Sequence, residues 1–164
     1  GYVTNMVSIG EKVKALAAEG KYNTPEYNEL KRRIGFELDG VILHELYFEN
    51  MTPNGGAIPQ DSTLYNKLVE CFGSYENWEA DFKATGMMRG IGWAVLYQCP
   101  QSGYLFNVFA GEHENGHPAG AIPILIMDVW EHAYTMDFKP TGRKGYIDAF
   151  FQNICWKTAE SRLK

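Results

Sequence analysis

The stretch that decides the fold is Ala121-Ile122-Pro123-Ile124-Leu125-Ile126-Met127-Asp128-Val129-Trp130-Glu131-His132-Ala133-Tyr134. Its first half is an almost unbroken apolar run, which predicts a buried strand. Such a strand carries Asp128 into a dry interior, where a carboxylate needs a partner and a metal ion is a good one. Asp128 and His132 are four residues apart, the spacing that places two side chains on one face of a helical turn. A carboxylate and an imidazole that converge there can hold iron or manganese.

Two further strands are predicted ahead of this run. The segments Gly92 to Gln98 and Tyr104 to Ala110 alternate in polarity and are separated by the turn residues Pro100-Gln101-Ser102-Gly103, a pattern that favours a hairpin. The loop Gly111 to Gly120 then leads to the third strand, Ala121 to Met127. We therefore expect a small antiparallel sheet of three strands.

The first third of the chain predicts helices. Apolar residues from Val3 to about Glu19 have helical spacing and stop at Gly20, a plausible C-cap. Thr24 and Pro25 form a good helix start, as N-cap and first helical residue, and the second helix runs to about Met51. Together these predict an antiparallel helical hairpin.

The segment Thr52-Pro53-Asn54-Gly55-Gly56 is a clear break in the helical pattern. Helices follow at about Ser62 to Phe72 and Tyr75 to Arg89, and others close the chain after the sheet. Helices first and a small sheet later predict an α+β fold. We expect an N-terminal helical hairpin region, residues 1–52, and a C-terminal α+β region, residues 53–164, joined in one compact unit.

Composition limits the function classes. With 164 residues, 45% apolar and 21% charged, the chain is an ordinary globular domain. A net charge of −5 argues against nucleic-acid binding, and no apolar run approaches the roughly 20 residues that span a bilayer. The three cysteines form no framework and predict reduced, mostly buried thiols in the cytoplasm. The opening Gly1-Tyr2-Val3 lacks an initiator Met, so a lost leader or first segment stays open.

The segment Asp128 to Tyr134 resembles the hallmark Asp-x-Trp-Glu-His-Ala-Tyr/Phe of the iron/manganese superoxide dismutase family. Further segments resemble this family in the right order, and the resemblance runs from Tyr2 to about Leu163; they are His44 to Met51, Phe72 to Tyr75, Gly90 to Leu96 and Tyr146 to Trp156. The resemblance implies conversion of superoxide to O2 and hydrogen peroxide by alternate reduction and oxidation of a bound iron or manganese ion, one per chain. It does not choose between the two metals.

The resemblance also implies the metal ligands. They are His44, Asp128, His132 and a further His from a helix upstream of Tyr2, which this sequence does not contain. The chain is therefore an N-terminally truncated or a divergent member, and the alternative is a catalytically inactive relative that lacks the first His ligand.

Five more residues receive roles from the resemblance. Tyr2 matches the gateway Tyr of a Tyr-Val pair at the end of the family's first helix, and His113 matches an active-site His that hydrogen-bonds the metal's solvent. Trp93 and Trp130 wall the cavity. Glu131 reaches across a dimer axis to the partner's ligand His, which implies a homodimer or a dimer of dimers.

Two features of the sequence complicate this picture. Ile91 and Thr135 stand where many family members carry Ser and Tyr. An acidic chain that attracts superoxide, an anion, needs a local positive funnel. Lys139, Arg143 and Lys144 are candidates, and the alternative is that they cap a helix end, where cations are favoured.

A rival pattern is His113-Glu114-Asn115-Gly116-His117, which has the His-Glu-x-x-His spacing of zinc proteases. That chemistry needs both His side chains on one helical face. Asn115, Gly116 and the following Pro118 are poor helix residues within a predicted loop, so the protease hypothesis is rejected.

Overall fold

The chain folds as helices, then a three-stranded sheet, then short helices. The computed structural model describes residues 1–53 and 55–164; Asn54, part of the break predicted at 52–56, lies outside the described residues. The elements, in chain order, are α1 (Tyr2–Ala18), α2 (Pro25–Glu49), α3 (Thr63–Phe72), α4 (Tyr75–Gly86), β1 (Gly92–Gln98), β2 (Leu105–Gly111), β3 (Ile122–Asp128), a 3-10 turn (Glu131–Ala133), α5 (Thr135–Phe138), α6 (Arg143–Gln152) and α7 (Trp156–Ser161). The predicted α+β class is confirmed.

The helical hairpin forms because its ends are well defined by sequence. The Thr24 side chain accepts a hydrogen bond from the Tyr27 N–H at 3.2 Å, and Pro25 is the first residue of α2. Gly20 has a positive φ of 72° just after α1, which turns the chain back. α1 and α2 pack against each other as predicted, although α2 ends at Glu49 rather than Met51.

Serine caps place the two middle helices. Ser62 and Ser74 each accept a hydrogen bond from a backbone N–H three residues on, at 3.1 Å in both cases. α3 therefore begins where predicted. α4 ends at Gly86, three residues before the predicted Arg89.

The sheet places one end of β1 beside Asp128. β1 is the central strand and pairs antiparallel with β2 and β3. Every residue of β1 is buried, and Trp93 lies opposite Ala110 on one side and Asp128 on the other. The hairpin and the third strand are confirmed, with β2 and β3 each shifted one residue later than predicted.

Asn50, the residue after α2, fastens that helix to the open edge of β3. Its side chain accepts a hydrogen bond from the Ile126 N–H at 2.9 Å and donates one to the Ile126 carbonyl at 3.1 Å, so it pairs with the edge strand as another strand would. The Arg162 guanidinium donates to the same amide oxygen and to the Ile124 carbonyl. These bonds fix the end of α2 that carries His44.

The structure bears on two further predictions, which concern membrane spans and the cysteines. Among the residues that the structure describes, no helix has both the length and the apolar character to cross a bilayer. Cys71, Cys99 and Cys155 are free thiols. All three are half-buried, so the prediction of mostly buried thiols was wrong; each lies near a helix or strand end, where the neighbouring backbone leaves part of the side chain exposed.

Candidate metal centre

Three potential metal ligands meet where α2, β3 and the 3-10 turn come together. His44 Nε2 and His132 Nε2 lie 3.6 Å and 3.1 Å from the same Asp128 oxygen, Oδ2. One donor atom from each of the three residues lies within 4.8 Å of the others, the only such metal-binding group found among residues 1–53 and 55–164. The structure thus brings together the three ligands suggested by the sequence.

The geometry behind this convergence differs from the prediction. Asp128 is the last residue of β3 and His132 lies in a 3-10 turn, so the two do not share one face of a helix. Asp128 Oδ1 accepts a hydrogen bond from the Trp130 N–H at 2.9 Å. This bond, from a carboxylate to the backbone two residues on, turns the chain and returns His132 towards Asp128.

The His44 ring is oriented by its own helix. Its Nδ1–H donates to the Gly40 carbonyl one turn earlier, which leaves Nε2 without a proton and facing Asp128. A hydrogen bond from one ring nitrogen that fixes the other for a metal is the usual arrangement of His ligands.

Asp128 is a buried carboxylate with a fixed orientation. It is 1% exposed, and its backbone carbonyl accepts a hydrogen bond from the Tyr146 hydroxyl at 2.6 Å. The Tyr146 hydroxyl also lies 2.9 Å from that of Tyr47, so two buried phenols support the end of β3. A carboxylate held this way in a dry site is stabilised by a nearby positive charge.

His132 is the exposed member of the group of three potential ligands. Its side chain is 54% exposed, whereas that of Asp128 is almost fully buried. The hydrogen bond to Asp128 raises the pKa of the His132 imidazole above its usual value. The Asp128 carboxylate therefore favours positive charge at this position.

Tyr2 and His113 form a hydrogen-bonded pair beside these ligands. The Tyr2 hydroxyl lies 2.8 Å from His113 Nε2, and the Trp93 indole N–H donates to His113 Nδ1 at 3.1 Å. Because an indole can only donate, His113 Nδ1 is an acceptor and the neutral ring carries its proton on Nε2. That proton points at the Tyr2 oxygen, so the Tyr2 hydroxyl proton is free for another acceptor.

The environment of His113 favours its neutral form. The ring is fully buried, and burial together with the nearby His44 lowers its pKa to about 4. The Tyr2 ring stacks on His44 with centroids 5.5 Å apart, while burial and the Asp128 charge raise the pKa of its phenol. At neutral pH the Tyr2 phenol therefore keeps its proton, and the His113 imidazole is in its neutral form with a single ring proton.

Tyr2 lies in α1, which packs against α2. Its ring packs on Gly40, where an added Cβ would meet the ring carbons at 2.7 and 2.9 Å. The absence of a side chain at Gly40 is what brings the phenol against His44.

The two predicted wall residues do line the centre. Trp93 is fully buried and meets His44 edge-on at 4.9 Å, and the Trp130 ring stacks on His113 at 4.7 Å. Glu131, in contrast, is exposed, as are the following His132 and Met136.

The three cations predicted near the site have different surroundings. Lys144 pairs with Asp148 at 2.9 Å and is mostly exposed. Arg143 donates from Nη1 to the Gly90 carbonyl at 3.1 Å, while its Nε and Nη2 are buried with no hydrogen-bond partner among the described residues. Both lie in the first turn of α6, where a helix disfavours cations, so the capping interpretation was wrong for them; only Lys139 follows a helix end.

Two residues near the centre were not predicted as part of it. Phe36 lies with its ring 4.6 Å from that of His113, and the Tyr146 hydroxyl binds the Asp128 backbone. Residues 36, 40 and 44 recur every four positions in α2, a signal that could have placed Phe36 beside the ligand. No local signal identifies Tyr146, because its contact depends on the packing of α6 against β3.

The His-Glu-x-x-His pattern at 113–117 has no helical geometry. The segment forms turns, and Glu112 before it has a positive φ of 53°. His117 Nε2 bonds the His113 carbonyl at 2.7 Å, so the two imidazoles do not face one metal. This agrees with rejection of the protease hypothesis.

Comparison with known proteins relates the chain to one family. The family model for iron/manganese superoxide dismutases, C-terminal domain, matches residues 59–162. A manganese superoxide dismutase of Haloarcula marismortui is 44% identical over 126 residues, which cover 76% of this chain and 61% of that protein. Iron superoxide dismutases of Cupriavidus metallidurans and Aquifex pyrophilus are 40% and 37% identical, over 83% and 100% of this chain and 68% and 78% of theirs.

The matched part of the chain spans less than two thirds of the first of these relatives. The similarity nevertheless runs along nearly all of this chain and includes relatives named for either metal. Since the family's model also covers the sheet and the helices around Asp128 and His132, the chain belongs to the iron/manganese superoxide dismutase family.

Proposed function

We propose that this chain is a metal-dependent superoxide dismutase, which converts superoxide to O2 and hydrogen peroxide. The observation that carries the proposal is the convergence of His44, Asp128 and His132 within 4.8 Å, next to the Tyr2–His113 pair. The reaction transfers both electrons and protons. It therefore requires metal-binding groups in contact with groups that carry protons.

The residues fit an iron or manganese ion. Two imidazole nitrogens and one carboxylate oxygen suit either metal, and a carboxylate as buried as that of Asp128 favours a nearby cation. When bound, the ion supplies a one-electron redox couple that accepts an electron from one superoxide and returns it to a second. His44, Asp128 and His132 would hold it, with Asp128 as the anionic ligand and the two imidazoles neutral.

The chain's own contribution to the chemistry is proton delivery. The second superoxide needs two protons to become hydrogen peroxide. His113 donates its Nε2 proton to the Tyr2 oxygen, which leaves the Tyr2 hydroxyl proton free for another acceptor, and the Tyr2 ring stacks on His44. Trp93 holds the ring in that tautomer, and the aromatic walls restrict the space to small molecules.

Arg143 is the cation best placed to attract the anionic substrate. Two of its donor nitrogens are buried without a partner among the described residues, and it lies close enough to the Glu131 carboxylate to interact with its charge. A partly desolvated guanidinium gives a stronger local field than the paired, exposed Lys144.

We further propose that the chain acts as a homodimer. Glu131 and His132 are exposed together with two large apolar side chains, Phe48 at 64% and Met136 at 93%. Phe48 follows His44 by one turn of α2, so this apolar surface adjoins the metal ligands. A second copy that covers it would place a Glu131 carboxylate near a His132 ring that is otherwise open to water.

The experiment is to load the chain with Fe(II) or Mn(II), measure the metal content by elemental analysis, and follow the decay of superoxide directly. We expect bound metal and accelerated decay, and loss of both in Asp128→Asn, because an amide is a poor ligand. Asp137→Asn, which changes an exposed carboxylate on α5, is the matched control and should behave as the parent.

The possible results separate the proposal from its alternative. The chain could bind metal without accelerating the decay of superoxide. If this also held for a chain extended upstream by a segment with a further His, the result would favour the catalytically inactive relative. Metal retention in Asp128→Asn would overturn the site itself.

A further inference from the structure

The loop that carries His113 is held by two side chains outside the site described above, Tyr97 and His117, which we name the loop clamp. This loop joins β2 to β3 and contains neither a helix nor a strand, and Glu112 has a positive φ that residues with side chains rarely adopt. His113 is nevertheless fully buried. Irregular backbone that presents a buried ring needs specific contacts to hold it.

The directions of the clamp's hydrogen bonds follow from its chemistry. The His113 carbonyl can only accept, so the His117 Nε2–H, 2.7 Å away, is the donor. The neutral His117 ring then has Nδ1 as an acceptor, and its partner is the Tyr97 hydroxyl. Tyr97 is buried, and burial raises the pKa of its phenol, which keeps the donated proton in place. The clamp thus runs Tyr97 to His117 to the His113 backbone.

The same strand anchors both the ring and the backbone of His113. Trp93 and Tyr97 are four residues apart in β1 and therefore point to one face of the sheet. Trp93 donates to the His113 ring, whereas Tyr97 reaches the His113 carbonyl through His117. The central strand of the sheet fixes the loop at both points.

We propose that Tyr97 and His117 are positioning residues that hold the His113 backbone, so that its imidazole meets Trp93 on one side and Tyr2 on the other. Their relevance to catalysis rests on the proposed function, in which the Tyr2–His113 pair delivers protons. The proposal also gives His117 a role that the rejected zinc-protease pattern could not.

The test measures hydrogen exchange of the Trp93 indole N–H by 15N NMR on the metal-free chain. Trp93→Phe identifies its signal, and the Trp78 indole, which donates to Asn107 at 3.2 Å, is an internal reference. In Tyr97→Phe and His117→Leu we expect Trp93 to exchange about tenfold faster relative to Trp78, as for loss of one buried hydrogen bond. His117→Gln keeps a donor for the His113 carbonyl and should restore slow exchange.

Tyr104→Phe is the matched control, because it removes a Tyr hydroxyl that bonds the Cys71 carbonyl on α3 rather than a residue of the loop. Unchanged Trp93 exchange in Tyr97→Phe would overturn the proposal. Equally faster hydrogen exchange at Trp93 and Trp78 would also overturn it, since the Tyr97 hydroxyl would then contribute only to global stability. The readout needs neither metal nor superoxide, so its failure is distinct from a failure of the proposed function.

Discussion

At the scale of single residues, His113 links the site to pH. Its folded pKa of about 4 lies below the ordinary value of 6.5. Between these values the unfolded chain binds a proton that the folded chain excludes, so the free energy of unfolding falls as pH drops through this window and is constant above it.

We predict that the metal-free chain loses on the order of 2–3 kcal/mol of stability from this group between neutral and acidic pH. His113→Gln, which cannot titrate, should lose correspondingly less. Urea unfolding of both proteins at several pH values measures the difference. Parallel pH profiles for the two would show that His113 does not carry the effect.

Gly40 is important because it has no side chain, which leaves room for the Tyr2 ring. A Cβ there would meet the Tyr2 ring at 2.7 Å, so we expect Gly40→Ala to displace Tyr2 from His44 and from the His113 hydrogen bond. Helix propensity alone would favour Ala by roughly 0.5–1 kcal/mol. This gain offsets part of the cost of losing the buried His113 contact. The expected outcome is therefore slower superoxide decay with little change in stability and no loss of metal.

Superoxide decay, thermal unfolding and metal content together check this prediction. Gly35→Ala in the same helix, where the nearest atom to a Cβ is Glu114 Cβ at 3.8 Å, is the control. Equal activity of both variants would contradict the proposed importance of the Tyr2 contact.

At the scale of elements, the attachment of α2 to β3 decides whether His44 reaches Asp128. Asn50 makes this attachment through hydrogen bonds to both polar groups of Ile126 and to the Tyr47 carbonyl. Since the side chain is completely buried, its replacement leaves these backbone groups without partners.

We predict that Asn50→Leu lowers the free energy of unfolding by about 2–4 kcal/mol, because several buried polar groups then lack partners. Metal affinity should fall as well, since α2 is no longer fixed against β3. Chemical denaturation and metal titration measure the two effects. Asn153→Leu, which removes only a bond to the Ala149 carbonyl, should cost less; similar losses would argue against Asn50 as the attachment.

At the scale of the whole molecule, the exposed surface beside the ligands is the feature to explain. Phe48 and Met136 are far more exposed than large apolar side chains usually are. The Phe48 ring lies 6.5 Å from the His44 ring, and Met136 follows the exposed His132 by four residues. A partner copy would remove this apolar surface from water and cover the open side of the centre.

We predict that Phe48→Glu shifts the chain from dimer to monomer, because a charge buried in an apolar interface is costly. Sedimentation equilibrium measures the change. Tyr22→Glu, at an exposed aromatic between α1 and α2, should leave the association unchanged. A parent chain that is monomeric at all concentrations would contradict the dimer proposal.

The sequence by itself determined the elements and the chemical type of the site. The Thr24 cap, the helix start near Ser62, the alternating hairpin and the apolar run before Asp128 each depend on neighbours within a few residues, which is why these predictions were accurate. The nature of the ligands followed from the residue types near Asp128 and from the resemblance.

Only the tertiary structure decided how these parts meet. Tyr2 and His113 are 111 positions apart and bond because α1 packs on α2 beside the sheet. His132 reaches Asp128 through a 3-10 turn that the Asp128 side chain itself initiates, where four-residue spacing had predicted a helix. The contacts of Tyr146 and of the loop clamp could not be predicted from the sequence for the same reason. They depend on the directions of side chains from distant elements, and these directions are fixed by packing rather than by local sequence pattern.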